Sequence, residues 1–156
     1  MHKEAFLNCA MEQERTLYRV AKTMLRSDAD CADAVQEALL KGLRGAAMLR
    51  SEQYVKTWLT RILINTCKDM MRKNQRTETV ELAEYIAAPD RQEQRDLYEA
   101  LQELDESLRL PLVLHYLEGF PVKDIARMLR VPEGTVKRRM WTARKELREL
   151  MTEEAM

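Results

Sequence analysis

The chain has 156 residues, of which 46% are hydrophobic, and its 26 basic side chains are balanced by 26 acidic ones. That length suits one ordinary domain or two small ones, and neutrality means that any affinity for nucleic acid must come from where the charges lie. No apolar run approaches the roughly 18 residues that span a bilayer, and MHKEAFLNCAMEQ has no signal-peptide core, so a cytoplasmic protein without membrane insertion is expected. Only four glycines and four prolines interrupt the chain, while Leu, Ala, Met and Val recur at intervals of three and four. An all-α protein is predicted.

Residues 4–26 place Phe6, Leu17, Val20, Ala21, Met24 and Leu25 on one helical face and predict a first helix ending near SDAD. Ser27 and Asp28 then offer a new N-cap. Asp30 and Asp33 follow where the helix dipole favours acids, and Val35, Leu39, Leu43 and Ala46 form the stripe of a second helix to about Ala46. Its exposed face carries Asp33, Gln36, Glu37 and Lys41.

From Ser51 onward YVKTWLTRILINTCKDMMRKNQR predicts a long helix. Tyr54, Val55, Trp58, Leu59, Ile62, Leu63, Thr66, Cys67 and Met70 fill a broad face, with polar and basic residues on the rest. Trp58 at this spacing reads first as a core residue. Residues 77–92 turn acidic, lose the periodicity and contain Pro89, as a linker would. Beyond it Leu97, Leu101, Leu104 and Leu108 predict one helix, and Leu110 to Tyr116, with Pro111 at its start, a second. His115 reads as a packing residue.

The last stretch carries two short amphipathic patterns. Val122, Ile125, Ala126 and Leu129 recur at helical spacing, then Val136, Met140, Ala143, Leu147 and Leu150, with Pro121 and Pro132 just ahead of each run. The second helix bears Lys137, Trp141, Arg144 and Arg148 away from its apolar stripe, flanked by Arg138 and Lys145. A cationic helix braced by another has the geometry of a helix-turn-helix DNA reader. A helical hairpin with a solvated basic face is the alternative that the pattern leaves open.

Cys9, Cys31 and Cys67 are odd in number, far apart and accompanied only by His2 and His115, so neither a disulfide framework nor a zinc site is indicated. They suit small apolar positions in a reducing compartment. Nucleophile–base pairs and metal-ligand clusters are missing from the sequence, so no catalytic residue, metal or cofactor is expected.

The run EGFPVKDIARMLRVPEGTVKRRMWTARKEL resembles the promoter-reading domain of bacterial RNA polymerase sigma factors, most closely the small extracytoplasmic-function (ECF) group. The GTVK core, followed by basic residues, a large apolar pair and AR, is more specific than a generic helix-turn-helix. DADCADAVQEALLKGLRG resembles the segment with which sigma factors grip the clamp helices of the polymerase's largest subunit, with Asp28, Ala29, Gln36 and Glu37 in place and Ala34 where a larger apolar residue is usual. WLTRILINTCKDMMRKNQR resembles the region that captures the minus-ten element, matched at Trp58, Leu59, Arg61, Ile62, Asn65, Asp69 and Arg72.

The resemblance implies two small helical domains. Residues 1–76 would bind core polymerase through Asp30, Asp33, Gln36 and Glu37, and would read and melt the minus-ten region through Lys56, Trp58, Arg61, Asn65, Asp69, Arg72, Lys73 and Arg76. Unstacked bases are held by hydrogen bonds to their edges, which suits Asn65, while cations hold the backbone. Residues 93–152 would read the minus-thirty-five element through Thr135, Lys137, Arg138, Trp141, Arg144, Lys145 and Arg148, with 77–92 as the linker. The implied partners are core RNA polymerase and promoter DNA, and families of this kind often have an anti-sigma factor. A stand-alone helix-turn-helix regulator and a helical protein-interaction adaptor are the rival readings.

Two departures bear on the turn region. Arg130 stands where the family often has glycine, and in a left-handed conformation it would cost on the order of 1 kcal/mol. Pro121 and Val131 occupy positions where a polar capping side chain is expected, each a loss of roughly 1 kcal/mol.

Overall fold

The computed structural model describes residues 1–76 and 92–155, and within them every α-helix named below is joined by turns, with no strand. Tertiary contacts divide the chain into two compact units, Met1–Glu84 and Tyr85–Met156. Most of the predicted linker, 77–91, lies outside the described residues.

Among the described residues the N-terminal unit holds the α-helices α1 (Lys3–Glu12), α2 (Glu14–Met24), α3 (Asp28–Gly45) and α4 (Val55–Arg76). The single helix expected over 4–26 is two. Gln13 sits between them at φ −93°, ψ −1°, and its N–H closes α1 on the carbonyls of Ala10 and Met11. The break lets both halves bury apolar residues: α1 contributes Phe6 and Ala10, and α2 contributes Leu17, Val20, Ala21 and Met24. A continuous rod of that length would carry one end off the small core.

Helix α3 starts as its sequence dictates. Ser27 is extended at φ −91°, ψ 135°, and its Oγ accepts from the Asp30 N–H at 3.2 Å. Helix α4 packs against α1, α2 and α3 and so forms the centre of the unit. Leu59, Leu63, Ile64 and Cys67 on α4 are fully buried, as are Phe6, Leu17 and Val20 from the helices around it. The crossing of α3 on this core is close at Gly42, where a Cβ would lie 2.7 Å from Leu59 Cδ2 and 2.8 Å from Phe6 Cζ.

The C-terminal unit holds α5 (Gln92–Glu103), α6 (Glu106–Tyr116), α7 (Val122–Leu129) and α8 (Glu133–Ala155). Leu108, assigned from periodicity to the same helix as Leu104, belongs to α6. Asp105 separates the two, because its carboxylate accepts the Ser107 N–H at 3.1 Å and caps a new helix. The Ser107 hydroxyl also donates to this carboxylate, and the two hydrogen bonds, the hydroxyl's first, hold the Asp105 carboxyl below its ordinary range.

Pro111 therefore lies inside α6 rather than at its start. An interior proline removes one helix hydrogen bond, and burial of Pro111 among Leu110, Leu112, Val113 and Leu114 offsets part of that loss. Leu101, Leu104, Leu112 and Ala143 make the shared core of α5, α6 and α8, with Leu97, Leu108, Leu147 and Leu150 packed around it.

Helices α7 and α8 meet at a left-handed residue. Arg130 has φ 58° and ψ 45°, and is the non-glycine residue with positive φ among those described. The Val131 N–H reaches back to the Ala126 carbonyl at 3.1 Å, so the turn closes α7 in the manner usually reserved for glycine. Pro121 precedes α7 with no side-chain cap, and at the start of α8 the Pro132 carbonyl accepts from the N–H groups of Thr135 and Val136. Packing of Ile125, Ala126, Met128, Val136 and Met140, all buried, holds the pair together.

Candidate polymerase and nucleic-acid interfaces

On α3 the buried side is Cys31, Ala34, Val35, Ala38 and Gly42. The other side exposes Asp33, Gln36 and Glu37, which helical spacing puts on one face. Asp30 is half-buried at the edge of that face. Leu40 is 50% exposed in its middle, an apolar residue with no signal in the sequence, since Leu39 beside it falls on the predicted stripe.

Lys41 ties this face to the neighbouring helix. Its Nζ lies 3.3 Å from the Glu37 carboxylate and donates to Thr66 Oγ1 of α4 at 3.1 Å. Thr66 is buried and in turn donates to the Ile62 carbonyl at 2.9 Å. No sequence signal announces a contact across 25 positions. At the start of α3 the Tyr18 hydroxyl donates to Asp28, which pushes the tyrosine up to about 12. Burial raises the Cys31 thiol to about 11, so it stays protonated and inert.

On α4 the residues Trp58, Arg61, Asn65, Asp69, Arg72 and Arg76 follow one another at intervals of three and four and share one side of the helix. Arg61 and Asn65 are half-buried, while Asp69 and Arg72 are exposed and paired at 3.7 Å. The Arg76 side chain lies outside the described residues. Trp58 is half-buried and stands edge-on to Phe6, ring centroids 5.9 Å apart, and it also packs within 3.1 Å of where a Cβ on Gly45 would sit. Its role in the core is therefore real, and one side of it remains at the surface. Lys56 does not join this group. Helical geometry turns it to the opposite side of α4, toward Thr60, Leu63 and Cys67. Lys73, exposed, lies beside the stripe rather than on it.

On α8 the core side is Val136, Met140 and Ala143, all buried. Lys137, Arg138, Lys145 and Arg148 are exposed, and Trp141 is 58% exposed despite its size. The Lys145 ammonium lies 5.6 Å from the Trp141 ring centroid, close enough to steady both side chains. Thr135 is half-buried and accepts from Arg138 Nη2 at 3.4 Å. Arg144 departs from the rest of the ridge: its guanidinium donates to the Tyr116 hydroxyl of α6 and lies 5.8 Å from that ring.

Tyr116 and Arg144 also border an apolar groove of about 230 Å³ lined by Leu101, Leu112, Val113 and Leu117. His115, next to it, pairs through Nδ1 with the Phe120 carbonyl at 2.8 Å, in keeping with a packing role. Among the described residues no group of His, Cys, Asp and Glu could hold a metal ion, and no helix is long and apolar enough to cross a membrane.

A helix-turn-helix whose second helix exposes a cationic ridge, preceded by a separate helical unit with an acidic and a basic face, defines a DNA-binding protein of modular, all-α build. Family models sharpen the class: residues 10–77 match the Sigma-70 region 2 family and residues 94–147 match Sigma-70 region 4. The chain is 35% identical over 151 residues to the ECF RNA polymerase sigma factor SigM of Mycobacterium tuberculosis, covering 94% of this chain and 77% of that one.

It is 28% identical over 156 residues to the RNA polymerase sigma factor SigV of Bacillus subtilis, covering 97% and 94%. Among solved structures, the sigma factor RpoE from Bartonella quintana, in complex with the anti-sigma factor NepR, matches with a TM-score of 0.83 at 25% identity, covering 96% of this chain and 98% of that one. The chain belongs to the ECF group of the sigma-70 family. It is a sigma factor of transcription initiation, with core RNA polymerase and promoter DNA as its partners. The stand-alone regulator and the adaptor fall away, because the region 2 match accounts for the N-terminal unit that neither requires.

Proposed function

We propose a division of labour within this sigma factor. Residues 1–76 bind core polymerase and open the minus-ten region, residues 93–152 read the minus-thirty-five element, and 77–92 link them. The polymerase face is Asp33, Gln36 and Glu37 of α3 with Asp30 at its edge and Leu40 at its apolar centre. The minus-ten face is Trp58, Arg61, Asn65, Asp69 and Arg72 with Arg76 beyond and Lys73 alongside. Lys56 is set apart from it. The minus-thirty-five face is Thr135, Lys137, Arg138, Trp141, Lys145 and Arg148, whereas Arg144 serves first to join α8 to Tyr116.

The observation that carries this reading is the α4 stripe. It combines an amide that can donate to and accept from a base edge, an aromatic partly at the surface, and cations one turn before that amide and two turns beyond it, as capture of an unstacked strand requires. A protein that only docked on duplex DNA would have no use for it. The protein acts in the cytoplasm, without catalytic residues, metal or cofactor. An anti-sigma partner completes the reading. The RpoE relative was solved with one, and Leu117, 61% exposed beside the groove on α6, leaves apolar surface for a partner to cover.

Runoff transcription with purified core polymerase on a genomic fragment library, followed by start-site mapping, tests the proposal. Discrete starts that share two spaced elements are expected only when the chain is added. Starts identical to those of core polymerase alone would overturn it.

A further inference from the structure

Helix α4 is held at two levels along its length. At the first, Trp58 stands edge-on to Phe6 and closes over Gly45. About two turns further on the contact is polar. Lys41 reaches across from α3, and its Nζ donates to Thr66 Oγ1 at 3.1 Å while lying 3.3 Å from a Glu37 carboxylate oxygen. Thr66 is 1% exposed, and its own hydroxyl proton goes to the Ile62 carbonyl at 2.9 Å. A hydroxyl has one proton to give and two lone pairs to offer, so the ammonium fills a place that only a donor can fill.

The ion pair with Glu37 does not account for this arrangement. Both of its side chains are solvated, at 38% and 53% exposure, and such pairs contribute little. Nor does the pair require the second contact, to a buried hydroxyl on another helix. Thr66 follows Asn65 directly. Asn65 is half-buried between Ile64 and Thr66, both buried, so its direction is set by how α4 is turned about its axis at this level. A threonine bonded to the carbonyl four residues back bends a helix slightly, and Lys41 holds that same oxygen from α3. A group that reads a base edge works only when held to within about half an ångström of the productive geometry.

We propose, on the reading of α4 as the minus-ten helix, that Lys41 is a positioning residue for base discrimination. Its ammonium acts through Thr66 to fix the turn of α4 that carries Asn65. Lys41 itself touches no base.

The test uses the full chain with saturating core polymerase on two promoters that differ at one minus-ten base, chosen as a pair that Asn65→Ala fails to tell apart. The rate of opening, followed by permanganate reactivity, is read as a ratio between the two. Lys41→Met keeps the stem and removes the ammonium, while Thr66→Val keeps the shape and removes the oxygen. Each should lower the ratio about tenfold, the worth of one charge-assisted hydrogen bond. The double variant should lose no more than either single one, because both remove the same contact. Lys41→Arg, which still donates, should keep most of the parent's ratio.

A lysine that only stabilised the fold would slow opening on both promoters alike and leave the ratio as it was. That result overturns the inference, as does a double variant whose losses multiply. A lowered melting temperature of Lys41→Met does not obscure the outcome, since the ratio compares two promoters with one protein sample. If Asn65→Ala tells every pair of minus-ten bases apart as well as the parent does, the reading of α4 fails and the role of Lys41 with it. If Asn65→Ala lowers the ratio and Lys41→Met does not, only the role of Lys41 is overturned.

Discussion

The two units solve one problem in opposite ways. In the N-terminal unit the helix proposed to read DNA is also the centre of the core: α4 packs on α1, α2 and α3, and Asn65 lies between the buried Ile64 and Thr66. In the C-terminal unit α8 keeps the two duties on opposite sides, with Val136, Met140 and Ala143 buried and Lys137, Arg138, Lys145 and Arg148 exposed. Opening a duplex requires a rigid pocket for an unstacked base, so its side chains gain from being set in the core. Reading a groove requires only a ridge that fits it.

The strongest way to break this comparison is to empty the core beneath α4. Leu59→Ala should cost about 3 kcal/mol, because Leu59 is fully buried against Gly42 and Phe6. Polymerase binding and promoter opening should fall together, and hydrogen exchange of α4 should speed up while that of α8 stays unchanged. Equal acceleration in both helices would show that the units unfold as one.

Arg138→Ala sharpens the other side. On the preferred minus-thirty-five duplex it should lose about 1–3 kcal/mol of binding if the guanidinium reads a base edge, and far less on scrambled DNA. Because Arg138 is exposed, stability should stay within about 0.5 kcal/mol of the parent. Equal losses on both duplexes across a salt series would turn Arg138 into a phosphate contact. By contrast, Asn65→Ala should reduce permanganate reactivity in the minus-ten region and relax base preference there. Being half-buried, it should also lower stability measurably, by roughly 1 kcal/mol. A fully stable Asn65→Ala would remove the contrast between the units.

Much of this was legible because it rests on short-range rules. The Ser27 cap, the α8 stripe and the cationic ridge follow from residues within a few turns of one another, whereas the α3 stripe read as Val35, Leu39, Leu43 and Ala46 is rotated in the structure: Cys31, Ala34, Val35, Ala38 and Gly42 are buried, and Leu39 and Leu43 are half-buried. What escaped depends on the third dimension or on weak local signals. Gln13 breaks a helix without proline or glycine, for the sake of two apolar faces that meet the same core. Asp105 was passed over as a cap because the leucine periodicity runs straight across it, and Pro111 was read as a helix start because proline favours one. Whether Arg130 adopts the left-handed conformation could not be read from its neighbours in sequence, and the structure places it there at φ 58°. Lys41 to Thr66 and Arg144 to Tyr116 join residues far apart in sequence, and periodicity carries no information about them.

On α3 the comparison takes an intermediate form, with an exposed face coupled to the core through Lys41. Asp33→Arg, or Gln36→Ala with Glu37→Lys, should weaken binding to core polymerase by about tenfold or more, since a like charge now meets the site that the acids had filled. The fold should persist, with far-ultraviolet circular dichroism unchanged. Core binding as tight as the parent's would move the polymerase contact to another face.

The smallest effect belongs to the cap that periodicity hid. Asp105 is exposed, so solvent screens its hydrogen bonds, and Asp105→Ala should cost no more than about 1 kcal/mol. The pH dependence has a definite sign. The Ser107 hydrogen bonds lower the carboxyl in the folded chain, so the folded state binds its proton less readily than the unfolded state does. The stabilisation is therefore present in full above the ordinary aspartate range, and it is lost as pH falls through the lowered folded value. Between pH 7 and the acid limit the gap in stability between the parent and Asp105→Ala should narrow, read as converging denaturant midpoints for the C-terminal unit. A gap that stays constant on acidification would mean that Asp105 acts through backbone conformation rather than through its carboxylate.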